Sequence, residues 1–308
     1  MGGGPDPWLD WLLVGRDAGD PAVRSRSGAF LGPLYERVLD EAGVRGGDTV
    51  LEVGAGEGAL GFRALERAGP AGRLVLSDFS ESVVDHLRKQ VPPAVADRVS
   101  VVRSPVETLA GIEDRAVDVV LSRSVLVYSP QPAAAFVSMS RVLRPGGRLG
   151  LFEPLWRFHE PATAAGDFFG RDLSALADDV SAVQAVYPAP PAGPAGLTAG
   201  ALVAAAEAAG FARVRAVVEA ESGPLPPGDE TRVRQALHGR PNPRAPSATE
   251  AARAALSPRR ADAFLRALED AVRTGRGRTR TAGVFLSAAT EGRRTSFPPP
   301  GRGRGNDG

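Results

Sequence analysis

The stretch "VLEVGAGEGALGFRAL", residues 50–65, constrains the fold more than any other segment of this 308-residue chain. Its apolar start predicts a strand, its alternating glycines predict a sharp turn, and its end predicts an amphipathic helix. Glycines also let a ligand approach the backbone without meeting a Cβ atom. The stretch therefore predicts a strand, turn and helix that hold a nucleotide-like ligand.

Strand and helix patterns alternate along most of the remaining chain, which indicates a parallel sheet covered by helices on both faces. The segment 116–122 is apolar almost throughout, as a strand buried on both faces should be. Beyond the opening unit, strands are predicted at 72–78, 98–102, 116–122, 148–153, 213–221 and 280–289, and helices at 29–42, 80–91, 131–143, 173–186, 199–209, 230–237, 249–256 and 258–274.

Composition excludes several classes of protein. The chain is 43% hydrophobic and 24% charged, as is usual for a soluble globular protein, and its formal net charge of +1 provides no basic field for nucleic acid or anionic membrane. The absence of cysteine excludes disulfides, thiolate metal sites and cysteine nucleophiles, and the three dispersed histidines predict no metal site. No leader and no run of ~18 apolar residues is recognisable, so we expect a cytoplasmic protein.

Charge around the glycine turn bears on the ligand. The turn also satisfies the G-x-G-x-x-G/A form of dinucleotide sites, but Glu52 and Glu57 bracket it and would repel a pyrophosphate. A cationic ligand without phosphate, such as S-adenosylmethionine, suits two carboxylates better. Asp78, at the end of the next strand, is placed to accept hydrogen bonds from both ribose hydroxyls. Because that role is common to NAD and S-adenosylmethionine sites, Asp78 leaves both cofactors open.

Three segments together resemble a known family. They are "VLEVGAGEGALGFRAL", "LVLSDFS" and "DVVLSRSVLVYSPQPAAAFVSMSRVLRPGGRLGLFEP". They resemble class I S-adenosylmethionine-dependent methyltransferases, in particular the small-molecule enzymes of the UbiE type, most strongly over residues 48–153. The resemblance implies an α/β fold with a Rossmann-like, seven-stranded, mostly parallel sheet, helices on both faces and an antiparallel last strand.

The same resemblance implies a domain organisation. A class I methyltransferase domain is expected over residues 45–290, with insertions at about 154–197 and 222–278 that cap it. An N-terminal helical cap is expected over residues 1–44, and a disordered tail over 291–308.

The resemblance also implies a role for residues at the strand ends. Glu52 and the turn residues would hold the methionine part of the cofactor, Asp78 would bind the ribose, and Phe79 would pack on the adenine. Arg123 and Ser124 would line the cofactor below the transferred methyl group, although Arg123 is equally suited to brace Glu52 or Asp118. The cofactor-binding residues predicted in this way are Glu52, Gly54, Ala55, Gly56, Gly58, Asp78, Phe79, Ser104, the Val106 backbone, Arg123 and Ser124. Many relatives have an aspartate where Pro105 and Val106 stand, which leaves the adenine contacts open.

An apolar pocket for the methyl acceptor is expected where the cap meets the carboxyl ends of the strands. Its predicted aromatic residues are Trp11, Tyr35, Tyr128, Trp156 and Phe169, each of which would alternatively pack the cap onto the sheet. His159, just beyond the fifth strand, is the candidate general base for an oxygen acceptor, with packing in the cap as the alternative.

These observations favour a methyltransferase that acts on a small, apolar or cyclic molecule by in-line transfer, in specialised metabolism. We expect the enzyme to bind that acceptor and to bind neither nucleic acid nor membrane. A homodimer is compatible with the sequence. The alternatives are a protein of this fold that catalyses another reaction, such as a pericyclase or decarboxylase, a cofactor-binding module, or an NAD oxidoreductase. The acceptor and its reacting atom stay open.

Overall fold

The computed structural model describes residues 6–155, 165–188 and 197–292. The strands are β1 Thr49–Val53, β2 Arg73–Asp78, β3 Val99–Arg103, β4 Val117–Arg123, β5 Leu143–Pro154, β6 Asp167–Phe168, β7 Arg171–Asp172, β8 Phe211–Pro224 and β9 Arg278–Thr290. The α-helices are α1 Trp8–Asp10, α2 Pro21–Ala42, α3 Ala59–Ala68, α4 Glu81–Gln90, α5 Pro132–Val142, α6 Ala177–Gln184, α7 Ala199–Ala208, α8 Glu230–His238, α9 Ala248–Ala255 and α10 Pro258–Thr274.

Seven of the strands form one sheet in the order β3-β2-β1-β4-β5-β9-β8. Strands β1 to β5 run parallel to one another, whereas β9 is antiparallel to both β5 and β8. The predicted seven-stranded, mostly parallel sheet with an antiparallel last strand is therefore confirmed. The strand order reverses between β1 and β4, and such a reversal opens a crevice at the carboxyl ends of the two strands.

Helices cover both faces of the sheet. On one face, side chains of α5 and α7 pack with Leu51 and Leu151 of the strands. On the other face, α2 and α3 pack with Val50 and Leu121. Helices α6, α8, α9 and α10 share a separate apolar cluster around Phe264, together with the β6–β7 hairpin.

Two local features differ from the expectation. Helix α2 begins at Pro21, not near residue 29, because the Asp20 side chain accepts a hydrogen bond from the Ala22 N–H at 2.8 Å and Pro21 is preset for the first helical turn. The β6–β7 hairpin was not predicted, since two-residue strands leave no periodic pattern in the sequence. Nowhere in the described ranges is there a helix with both the length and the apolar character needed to cross a membrane.

Candidate cofactor and acceptor site

The glycine turn follows β1 and requires its glycines for two different reasons. Gly54 has a φ of +64°, and a Cβ there would lie 2.3 Å from Cγ2 of Val125. Gly61 lets α3 approach β1, because a Cβ at that position would lie 2.5 Å from Oε2 of Glu52. The turn is thus shaped by close contact with the loop after β4 and with the end of β1.

Asp78 ends β2 and faces the turn. Its Oδ2 accepts a hydrogen bond from the Gly56 N–H at 3.1 Å, and its Oδ1 accepts one from the Ser80 N–H at 3.0 Å. Burial raises the pKa of Asp78 above its usual value. A carboxylate has about four lone-pair positions, so two hydrogen bonds leave acceptor capacity on both oxygens. Asp78 is therefore able to accept hydroxyl donors without losing its contacts to the turn.

Glu52 is buried at the end of β1, where its Oε2 accepts a hydrogen bond from the Gly61 N–H at 2.8 Å. Burial raises the pKa of Glu52 to about 8, against the opposing effects of the Gly61 N–H and Arg123. A carboxyl group with such a pKa is mostly protonated at neutral pH, so Glu52 is a weaker source of negative charge than the sequence suggests.

Glu57 does not present a free charge to the crevice either. Its carboxylate pairs with Arg16 at 2.9 Å and with Arg24 at 2.8 Å, and both arginines belong to residues 6–24, called the N-terminal segment below. The expected attraction between this carboxylate and a cationic ligand is therefore not supported, because two cations already neutralise it. The structure gives Glu57 a different role, which is to fasten the N-terminal segment to the turn.

Two buried hydroxyl groups, at the end of β3 and on β4, have no hydrogen-bond partner in the part of the chain that the structure describes. Ser104 follows β3, and its N–H donates to the Asp78 carbonyl at 2.8 Å, while its Oγ has no hydrogen-bond partner within the described ranges. The same holds for Oγ of Ser122 on β4. Val106 is buried, and its carbonyl accepts a hydrogen bond from the Ser138 hydroxyl. Phe79 is 44% exposed beside Asp78.

The loop after β4 is held by one buried carboxylate. Glu153, on β5, accepts hydrogen bonds from the backbone N–H groups of Val125, Leu126 and Val127 at 2.9, 2.9 and 3.1 Å. Burial raises the pKa of Glu153 to about 7, although these three N–H groups oppose the change. Because Val125 packs on Gly54, Glu153 also determines how the β4 loop meets the glycine turn.

Arg123 ends β4 and is half-buried. Its Nη1 lies 3.5 Å from Oγ of Ser124, and its guanidinium carbon lies 5.7 Å from the centre of the Tyr35 ring. Ser124 has a φ of +54°, and its N–H donates to the Phe152 carbonyl at 2.8 Å. Asp118 pairs instead with Arg144 at 2.6 Å, so the suggested bracing of Asp118 by Arg123 is wrong.

The N-terminal segment lies over this crevice. The Trp8 ring contacts both Phe79 and Tyr128 edge to face, with ring centres 5.0 and 5.1 Å apart. A Cβ at Gly56 would lie 3.7 Å from Leu12, which places this leucine against the turn. The segment thus bridges the loops after β2 and β4.

The predicted acceptor residues fall into three groups. Tyr128 lies at the crevice, Tyr35 stands beside Arg123, and Trp11 packs edge to face on Trp8 in the covering segment. Phe169 lies apart on the β6–β7 hairpin, 59% exposed and packed on Phe168 and Tyr187. Trp156 and His159 lie outside the described residues, so their predicted roles stay predictions. The contact of Val125 with Gly54 and the loop-holding role of Glu153 were not predicted, because both depend on pairing between elements distant in sequence.

The residues present fit a nucleoside cofactor of the S-adenosylmethionine type. The glycine turn provides close backbone approach, Asp78 keeps acceptor capacity for ribose hydroxyls, and the Ser104 hydroxyl beside it has no protein partner among the described residues. These three features lie at the carboxyl ends of the adjacent strands β1, β2 and β3, next to the point where the strand order reverses, and ligands bind at that end of open α/β sheets.

Comparison of the sequence with known proteins leads to the same class of enzyme. A sequence model of the methyltransferase domain matches residues 51–151. Nocamycin O-methyltransferase of Saccharothrix syringae is 33% identical over 196 residues, which are 62% of this chain and 68% of that protein. The UbiE ubiquinone/menaquinone biosynthesis C-methyltransferase of Hahella chejuensis is 34% identical over 122 residues, which are 39% of this chain and 49% of that protein.

One solved structure supports the fold. A complex between the Haloferax volcanii Trm112 methyltransferase activator and a protein described as a methyltransferase aligns over 94% of this chain and 100% of that chain, with a TM-score of 0.51 and 16% identity.

Several curated relatives are matched over about half of their length or less.

The sheet order and the glycine turn define the class I methyltransferase fold. The chain belongs to the S-adenosylmethionine-dependent methyltransferases, a family of enzymes, and S-adenosylmethionine is its cofactor.

Proposed function

We propose that the protein transfers the methyl group of S-adenosylmethionine to a small, apolar or cyclic organic molecule. The observation that carries the proposal is the convergence of the glycine turn, Asp78 and the unpartnered Ser104 hydroxyl at one crevice. The relatives named for nocamycin and aklanonic acid support a small organic acceptor and a place in specialised metabolism.

In this proposal the chain binds and orients the two reactants. Glu52 and the turn hold the methionine part of the cofactor, Asp78 holds the ribose, and Phe79, Ser104 and Val106 border the adenine. The cofactor supplies an electrophilic methyl group, so the protein contributes mainly alignment and exclusion of water. Val125 and Tyr128, on the loop that Glu153 holds, would face the reacting atoms.

We further propose that the cap encloses the acceptor. It would consist of residues 1–44 and the insertions at 154–197 and 222–278. Two hydrogen bonds join the first and last of these parts: Trp11 Nε1 donates to the Arg240 carbonyl, and the Arg240 N–H donates to the Gly15 carbonyl, both at 2.8 Å. Because Asp78 is only 7% exposed, the N-terminal segment must move before ribose reaches it.

Incubation of the protein with methyl-labelled S-adenosylmethionine and a library of small phenols, acids and amines tests the proposal. We expect label in an organic product and an equal amount of S-adenosylhomocysteine. The control is the Asp85→Asn variant, an exposed position on α4 outside the crevice, which should behave as the wild type. Tight cofactor binding with no S-adenosylhomocysteine, but with another change in an acceptor, would instead establish a methyltransferase-fold enzyme of different chemistry.

A further inference from the structure

Arg123 is a cation on the border of the crevice, and it has no salt-bridge partner among the described residues. Within the described parts of the chain, no carboxylate oxygen lies within 4 Å of its guanidinium group, and its one hydrogen-bond contact is the neutral Ser124 hydroxyl at 3.5 Å. By contrast, Arg63 and Arg144 are both ion-paired, with Glu36 and Asp118. A half-buried cation without an anionic partner is costly unless a ligand provides one.

The position of Arg123 relates it to the reaction rather than to the packing of the sheet. Leu121 of β4 pairs with Glu52 of β1 and Ser122 pairs with Val53, so Arg123 lies level with Gly54, the first residue of the glycine turn. It therefore stands at the carboxyl end of β4, on the border of the crevice where the strand order reverses. A ligand that enters between β1 and β4 meets this guanidinium group.

The groups around Arg123 include two buried carboxyl groups, and within the described residues neither reaches salt-bridge distance. These groups are Glu52 on β1, Glu153 on β5, Tyr128 on the β4 loop, Tyr35 on α2 and Arg63 on α3. Burial raises the pKa of Glu52 to about 8 and that of Glu153 to about 7, so neither carboxyl group is fully ionised at neutral pH. Tyr128 is neutral, because burial raises its pKa to about 12. Arg123 interacts electrostatically with both carboxyl groups but forms a salt bridge with neither of them in the described parts of the chain.

We propose that Arg123 binds the oxyanion of the methyl acceptor, and that the acceptor is a phenol, enol or carboxylic acid that reacts as its anion. The inference rests on the proposed function and specifies its substrate class. The acceptor loses its proton to solvent on binding. A lone pair of the oxyanion then forms the new O–CH3 bond, the C–S bond breaks, and the sulfur keeps that electron pair. No proton is released in the transfer step, so no general base takes part in it.

The ionisation of a bound phenol tests this role without turnover. The probe is 4-nitrophenol, which ionises near neutral pH and whose phenolate form is coloured, titrated in the presence of saturating S-adenosylhomocysteine. Beside Arg123 we expect the pKa of the bound probe to be lower by about one to two pH units than in Arg123→Gln. Arg123→Lys should retain a good part of that shift, because it keeps the positive charge.

Arg63→Gln is the matched control, since Arg63 lies 5.8 Å from the same Tyr35 ring but is paired with Glu36. Its bound probe should titrate as in the wild type. Equal pKa values of the bound probe in wild type and Arg123→Gln would overturn the inference, and so would a failure of the wild type to bind 4-nitrophenolate. Competition with benzoate and with phenol then separates carboxylate from phenolate acceptors.

Binding of S-adenosylhomocysteine, measured by calorimetry in the same samples, separates the two proposals. Wild-type protein that binds S-adenosylhomocysteine but does not shift the probe contradicts the role of Arg123 alone. Wild-type protein that does not bind S-adenosylhomocysteine contradicts the proposed function itself. Urea denaturation shows separately that each variant is folded.

Discussion

Replacing Glu153 should loosen the loop after β4 in a graded way. The carboxylate accepts three backbone N–H groups, and an N–H buried without an acceptor costs about 1–3 kcal/mol. Glu153→Gln exchanges one acceptor oxygen for an NH2 donor and leaves at least one of the three unsatisfied, so we expect it to lower the free energy of unfolding by about 2 kcal/mol. Glu153→Ala removes all three acceptors and leaves a cavity, so we expect a loss of about 4 kcal/mol or more.

Two assays together measure this effect. Urea denaturation gives the free energy of unfolding, and amide hydrogen exchange of Val125, Leu126 and Val127 reports the loop directly. The matched control is Glu107→Gln, since Glu107 accepts a hydrogen bond from the Ser129 hydroxyl alone in the same region, and its loss should cost about 1 kcal/mol or less. If Glu153→Gln matched the wild type within about 0.5 kcal/mol and the three amides stayed protected, the loop-holding role would be refuted.

Three further changes test other parts of the site. Gly54→Ala should abolish cofactor binding in calorimetry, because the new Cβ would lie 2.3 Å from Val125 at a backbone φ of +64°. The control is Gly28→Ala in α2, whose Cβ would have no atom within 4 Å and which should raise stability by about 0.5–1 kcal/mol. Equal cofactor binding by both variants would contradict the assigned contact. Trp8→Ala removes the edge-to-face contacts with Phe79 and Tyr128, each worth about 0.5–1.5 kcal/mol, together with the one to Trp11, and should speed cofactor association in stopped flow by about tenfold. An unchanged rate would show that Trp8 does not limit access. Burial raises the folded-state pKa of Glu52 from 4.5 to about 8, so the contribution of Glu52 to stability is present below pH 4.5 and is lost as pH rises through about 8, by roughly 5 kcal/mol. Glu52→Gln should lack that decline. Parallel curves of stability against pH for the two proteins would contradict the raised pKa of Glu52.

The regular part of the fold follows from the sequence because local patterns specify it. Apolar runs and helical periodicity predicted the central strands and most helices, and the glycines and Asp78 marked the crevice, since their function depends on their own backbone position. The start of α2 was missed although Asp20 and Pro21 are recognisable start signals, because the weakly amphipathic residues that follow them obscured the helix.

The charges of the site were harder to predict than its shape. Glu57 was expected to face a cationic ligand, but Arg16 and Arg24 reach it from the N-terminal segment. The burial that changes the ionisation of Glu52 and Glu153 depends on neighbours from other strands and helices. Ionisation and pairing are properties of the assembled fold, so no local pattern in the sequence reports them.

Calorimetric titration of S-adenosylmethionine into wild type and Asp78→Asn tests the central claim most directly. If the cofactor binds at the crevice between β1 and β4 with its ribose on Asp78, the wild type should bind S-adenosylmethionine in preference to NAD. The variant should then bind it about tenfold more weakly, which corresponds to about 1.4 kcal/mol for one lost charge-assisted hydrogen bond. Equal affinity of the two proteins for S-adenosylmethionine, or tighter binding of NAD by the wild type, would contradict the assignment.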